Sequence, residues 1–201
     1  MTLAPAITPS TATAQSAVCF RGRPLPRCSA FTVFAITGVK RVAGTTHLET
    51  FGAASSISQP HVPDLADYLS WTLGVMVNRD SAHAIGAVAE FGFDSTGSRV
   101  ALEARRRTWL PRGGSIDFTA GGLVAQGHKG ARFPTAYGMT TGVALGAFDL
   151  FAITIGGDVA WPASGNHLRA AIHGGLRVSS YAALASLGLV IAGAALVVPR
   201  D

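Results

Sequence analysis

Lysine is almost missing from this chain: Lys40 and Lys129 are the only two, and arginine supplies the rest of the sixteen basic residues. Charge of either sign is scarce. Asp, Glu, Lys and Arg together make up 13% of 201 residues, about half of the roughly 25% carried by an ordinary soluble domain. A surface that must stay wet over its whole area is therefore not expected. Arginine without lysine suits paired or interfacial positions better than a solvated coat. Cysteine is limited to Cys19 and Cys28, which carry no metal-ligand spacing. They read as two unpaired thiols without a role, with a disulfide in an oxidising compartment as the alternative. No Gly-x-Ser-x-Gly or His-Glu-x-x-His motif occurs, and the glycine-rich links lack the lysine of a phosphate-binding loop. The one basic cluster is Arg105-Arg106-Arg107, and a strand would send its members to opposite faces, so nucleic acid is not expected as a partner.

What the chain does have is alternation. In a half-buried strand successive side chains point to opposite faces. Trp71, Leu73, Val75 and Val77 share one parity against Thr72, Gly74, Met76 and Asn78. Ile85, Ala87, Ala89, Phe91 and Phe93 oppose Gly86, Val88, Glu90 and Gly92. Val100, Leu102 and Ala104 oppose Arg99, Glu103, Arg105 and Arg107. The pattern recurs in Ile116–Ala120, Tyr137–Leu145, Phe151–Ile155 and Leu168–Val178. A helical period would scatter these charges around the cylinder, so strand is the reading throughout. Turn clusters separate the runs, such as Asp94-Ser95-Thr96-Gly97-Ser98, where Asp and Ser can bond their own backbone.

Two features point from a sheet to a closed barrel. Glycines crowd the non-apolar parity (Gly74, Gly86, Gly92, Gly121, Gly138, Gly142, Gly156, Gly175), as a narrow interior requires. Short links (Asp80–His83, Pro111–Gly114, Gly146–Asp149) also alternate with longer ones (Asp94–Ser98, Gly127–Thr135, Pro162–Asn166), so each kind would gather at one rim. The expected fold is all-β, an antiparallel up-and-down barrel of about eight strands with a C-terminal apolar helix. The barrel is placed at residues 43–178, its eighth strand near His47–Ala53. Residues 1–42 read as a disordered or export-like approach. Within them Arg21, Arg23 and Arg27 precede the apolar run Phe31–Val39, which resembles an export signal or is a plain buried strand. Residues 179–201 contain the uncharged run Tyr181–Val198, long enough as a helix to approach a bilayer's ~30 Å core.

From Leu69 to Val178 the chain resembles small bacterial outer-membrane β-barrel proteins. The resemblance rests on the alternating strands, the glycine-rich inner parity, turn clusters such as Asp94-Ser95-Thr96-Gly97, and the segment Thr108-Trp109-Leu110-Pro111 before a turn. It implies a location in the bacterial outer membrane with the lipid bilayer as partner, and it carries over no functional residue, metal or cofactor. The inward parity would then hold a ladder of charges: Glu90, Glu103, Arg105, Arg107, Asp117, Arg169, His173 and Arg177. Charges in a low-dielectric lumen must pair, so this ladder reads as a plug. Because its arginines outnumber its carboxylates, a small anion-preferring pore is the functional alternative. Arg106 falls on the apolar parity, close enough to Pro111 to reach a headgroup layer.

A non-catalytic membrane barrel with a structural or small-pore role is therefore the leading expectation. A soluble lipocalin-like barrel, periplasmic or secreted, would invert the two faces and hold an apolar ligand. A membrane-bound hydrolase or acyltransferase would use His173 with Asp117 or Glu103, and Ser115 or Ser98 as nucleophile.

Overall fold

The structure is a computed structural model that describes residues 17–46, 64–93, 97–127, 135–163 and 168–197. A two-residue strand, β1 (Val18–Cys19), precedes eight long ones: β2 (Ala30–Thr46), β3 (Asp64–Asn78), β4 (His83–Phe93), β5 (Gly97–Trp109), β6 (Gly114–Gly127), β7 (Thr135–Ala147), β8 (Phe151–Pro162) and β9 (Leu168–Ser179). The eight pair antiparallel in chain order, and β9 returns to β2 with Ala35 opposite Ser179 and Thr46 opposite Leu168. Closure leaves no unpaired edge among them, which alternating apolar strands need if they are not to recruit other chains. An α-helix, α1 (Ser180–Val197), ends the described chain. Among the described residues no helix is long and apolar enough to cross a membrane, a fact without bearing on a barrel.

The closing strand is the main departure from the sequence reading. β2 begins at Ala30, inside the stretch assigned to an approach segment. His47–Ala53, offered as the eighth strand, lies outside the described residues. β2 is hard to recognise because both of its faces are apolar at this end. Phe31 and Val33 point inward against Met76, Ala84 and Val88, while Phe34 and Ile36 alternate with them. A strand apolar on both sides loses the period-2 contrast. The cysteines are a second departure. Cys19 and Cys28 form a disulfide, stapling residues 19–28 into a loop whose β1 strand pairs parallel to the start of β2.

Elsewhere the parities fall as the alternation requires. On β5, Leu102 is 69% exposed, whereas the next residues of opposite parity, Glu103 and Arg105, are 5% and 2% exposed. Ile153, Ile155, Ile172 and Leu176 are likewise exposed on the outer wall; Phe91 is half-buried. This is the reverse of a soluble barrel that holds an apolar ligand. Aromatics mark both ends of the wall. Tyr137 and Trp161 face each other across β7 and β8 toward the long-link rim, and Trp71 meets Phe93 edge-on at 6.0 Å. Phe148, Phe151 and Tyr181 are exposed at the short-turn rim.

The inward glycines make room for the neighbouring strand, for its backbone at Gly86, Gly121 and Gly138 and for its side chains at Gly92 and Gly156. A Cβ on Gly92 would lie 2.6 Å from Arg99 Cγ, and one on Gly156 would run into the imidazole of His173. The bulk of the charged residues and the lack of it at these glycines are one arrangement.

Candidate functional site: the ionic lumen and its short-turn cap

Ionic side chains enter the lumen from β4, β5, β6, β8 and β9, and they gather around three carboxylates. Toward the long-link rim, Arg99 of β5 meets Asp158 of β8 with Nη1–Oδ2 2.5 Å and Nη2–Oδ1 3.3 Å. Glu90 lies 3.5 Å from Arg99 Nε, and the guanidinium carbon sits 5.3 Å from the Tyr68 ring centroid. His173 Nδ1 is 3.7 Å from the same Asp158, and its ring meets Tyr68 edge-on.

Deeper in, Asp117 of β6 serves three arginines. Arg107 donates to it in a fork, Nε–Oδ1 2.6 Å and Nη2–Oδ2 2.8 Å. Arg177 approaches to 3.7 Å and Arg105 to 4.0 Å. Arg105 is fully enclosed, and its Nε, Nη1 and Nη2 find no acceptor within hydrogen-bond distance among the described residues. Burying a guanidinium in this way is costly, so Asp117 is the anion that makes it tolerable. Glu103 lies between the groups, buried on β5.

The third carboxylate caps the barrel. Ala147–Leu150 is a β-turn within the three-residue link between β7 and β8, closed by Leu150 N–H donating to Ala147 O at 3.1 Å. Its central residues, Phe148 and Asp149, have φ of 55° and 54°. Positive φ at both suits the twist of a hairpin, but Asn-Gly is the usual occupant, and a non-glycine residue there costs about 1–2 kcal/mol. What offsets that cost is the Asp149 carboxylate. It accepts from Arg107 Nη1 at 2.6 Å, from Gly22 N–H at 2.8 Å and from Ser180 Oγ at 2.9 Å. One side chain thus ties the lumen, the N-terminal loop and the start of α1 together.

The loop is held at further points. Asn78 Nδ2 donates to the carbonyls of Arg23 and Cys28 at 2.6 and 2.8 Å, while its Oδ1 accepts from Trp109 Nε1 at 2.9 Å. Arg21 donates to Phe148 O. Beneath the loop Arg107 stacks over Phe31 and Trp109, 5.4 and 5.0 Å from their centroids. Residues 19–28 therefore stopper the short-turn end above the apolar cluster of Phe31, Val33, Met76 and Val88. Replacing Asp149 by Ala removes three charge-assisted hydrogen bonds, each worth about 1.5–3 kcal/mol. The expected result is faster tryptic cleavage after the exposed Arg27 with the barrel strands still protected, read by mass spectrometry of timed digests.

Six of the eight expected ladder residues are placed on the inner wall by these contacts, and Glu103 by its burial. Arg169 pairs in register with Thr45 and Ala160, and its side chain lies outside the described residues. Three residues absent from that ladder prove central: Arg99, Asp149 and Asp158. Arg99 has the inward parity of β5, and Asp158 that of β8. The run ending at Ile155 hides Asp158 behind Gly156-Gly157, which carry no side chain to mark parity. Asp149 reads as a polar turn residue. With these included, the expected arginine excess disappears, because Arg99, Arg105, Arg107 and Arg177 face Glu90, Glu103, Asp117, Asp149 and Asp158. Between Thr37, Ser70, Glu90, Glu103 and Arg177 lies a cavity of about 30 Å³, room for a few water molecules at most.

The nucleophiles of the hydrolase reading do not converge. Ser98 pairs with Gln126 near the long-link end of β5, whereas Ser115 pairs with Trp109 at its other end. Eleven residues of strand separate those register positions, roughly 36 Å at 3.3 Å each. His173 is within 4 Å of Asp158, not of the Asp117 that was offered as its partner, since Asp117 is taken by arginines.

No protein-family model and no curated protein matches the chain. Among solved structures it is similar to one described as de novo design of transmembrane beta-barrels, at 7% identity and a TM-score of 0.36, covering 73% of this chain and 94% of that one. Nothing about activity follows from a likeness at that score.

Proposed function

We propose that this chain is an integral membrane barrel of the outer-membrane type, with a structural role and a closed lumen, and that its working partner is the lipid bilayer. The observation that carries the reading is the outer wall. On β8 the outward side chains run Phe151, Ile153, Ile155, Gly157, Val159 and Trp161 without a charge. From Phe151 to Trp161 is ten residues, about 25 Å of height at 3.3 Å each and the ~40° tilt of barrel strands. That matches the lipid-facing band of such barrels, with aromatics at both borders. A water-facing wall of this kind would far exceed the apolar patch a soluble monomer exposes.

The stoppered short-turn end, the balanced ion pairs and the small lumen cavity favour a closed plug over a conducting pore. The location follows from two supports. Short turns of outer-membrane barrels face the periplasm, and the Cys19–Cys28 disulfide lies at that rim, where an oxidising compartment would maintain it.

The test has two readouts on refolded protein in detergent and in planar bilayers. The expected outcome is heat-modifiable gel mobility with no ion conductance above the bilayer background. A folded monomer that stays soluble without detergent would remove the membrane reading, and steady unitary currents would remove the closed-lumen reading.

A further inference from the structure

We propose that the short-turn cap carries a binding cleft for the phosphate headgroup of an anionic lipid, a proposal that rests on the membrane reading above. The cleft opens between the stapled loop and the turns beside it and has a volume of about 310 Å³. Its two kinds of wall suit an amphiphile. Arg21, Arg23 and Arg27 stand along one side, and Trp109, Leu110 and Phe148 form the other.

The arginines of the cleft outnumber its one acid, Asp149. Arg23 and Arg27 are exposed, and no carboxylate lies within 4 Å of either among the described residues. Arg21 uses its guanidinium on a neutral carbonyl, Phe148 O. The one acid lining the cleft, Asp149, has both oxygens engaged: Oδ1 by Arg107, Oδ2 by Gly22 N–H and Ser180 Oγ. Three arginines therefore line a cleft whose one carboxylate is already engaged, and guanidinium forks match phosphate oxygens closely.

The apolar wall decides what kind of phosphate fits. Leu110 and Phe148 are exposed at the rim, continuous with the outward Phe151 of β8. An acyl chain can run from the cleft down the lipid-facing wall while its headgroup stays among the arginines. A free phosphate would use only half of this surface. The loop can hold that geometry because its backbone is fixed by Asn78 and by the disulfide, leaving the arginine side chains as the adaptable part.

The probes are short-chain phosphatidic acid, phosphatidylcholine of the same chain length and inorganic phosphate, each titrated into the full chain folded in neutral detergent and followed by calorimetry. Phosphatidic acid is expected to bind at least tenfold more tightly than either of the others. Joint replacement R23A/R27A is expected to erase that preference, and R79A, outside the cleft, to leave it intact. Equal affinity for the two lipids, or an unaltered preference in R23A/R27A, would overturn the proposal. Inorganic phosphate binding as tightly as phosphatidic acid would overturn the lipid assignment. Heat-modifiable mobility is recorded in the same samples: its loss in the unsubstituted chain counts against the barrel reading, whereas failed discrimination with mobility intact counts against the cleft alone.

Discussion

Replacing Asp117 by Ala is expected to destabilise the barrel by about 3–5 kcal/mol, because a buried pair broken from one side leaves its partner's charge unpaired in a dry site. Three partners are left in this case. Arg107 keeps Asp149 at 2.6 Å, but Arg177 and Arg105 lose the one carboxylate seen within 4 Å of them among the described residues. Their mutual repulsion then goes unscreened inside a closed wall. Exchange of Arg105 for Met should behave quite differently. Arg105 makes no hydrogen bond that the exchange would forfeit, and removing it relieves repulsion toward Arg107 and Arg177. A change near zero, or a modest gain, is expected, and D117A/R105M should recover part of the loss of D117A alone. Urea-driven unfolding in lipid vesicles, followed by gel mobility, measures all three. A loss of under 1 kcal/mol for D117A would show that the lumen is wet and its charges screened.

The second large effect concerns the wall. Leu102 sits near the middle of β5 on the outer face and is 69% exposed. In water an exposed Leu→Arg exchange falls within about ±0.5 kcal/mol. In a bilayer, arginine at the midplane of a barrel strand costs about 2–4 kcal/mol, falling toward zero near the interfaces. L102R should therefore lose several-fold more stability than arginine placed at Thr108, close to the short-turn rim. On the proposed membrane reading the native Arg106 obeys the same rule. It lies on the outer parity of β5, three residues from Trp109, opposite Phe118 of β6, where its long stem can carry the guanidinium to the headgroup level.

How much of this is legible in the residues depends on contrast. β5 announces itself because Leu102 and Glu103 differ in every relevant property, and β3 because Trp71, Leu73, Val75 and Val77 repeat without a break. β2 does not, since Phe31 and Val33 meet an apolar cluster inside while Phe34 and Ile36 take the outer parity, and nothing in such a run tells in from out. The ion pairs are legible as a requirement but not as a list. Any arginine inside must meet an acid, yet only the closed register brings Arg99 to Asp158, 59 residues away. The cap is the least legible part. Gly22 N–H reaches Asp149 across 127 residues, and an aspartate in a turn carries no mark of a node.

The central claim, apolar wall outside and ionic filling within, is tested most directly by single nitroxide labels at successive positions from Val100 to Thr108 in lipid bilayers. Collisions with oxygen, which concentrates in lipid, and with a water-soluble nickel chelate are measured at each. Positions 100, 102 and 104 should collide freely with oxygen and not with the chelate, and positions 101, 103, 105 and 107 with neither. Chelate collisions at 102, or a pattern without a two-residue period, would contradict the account.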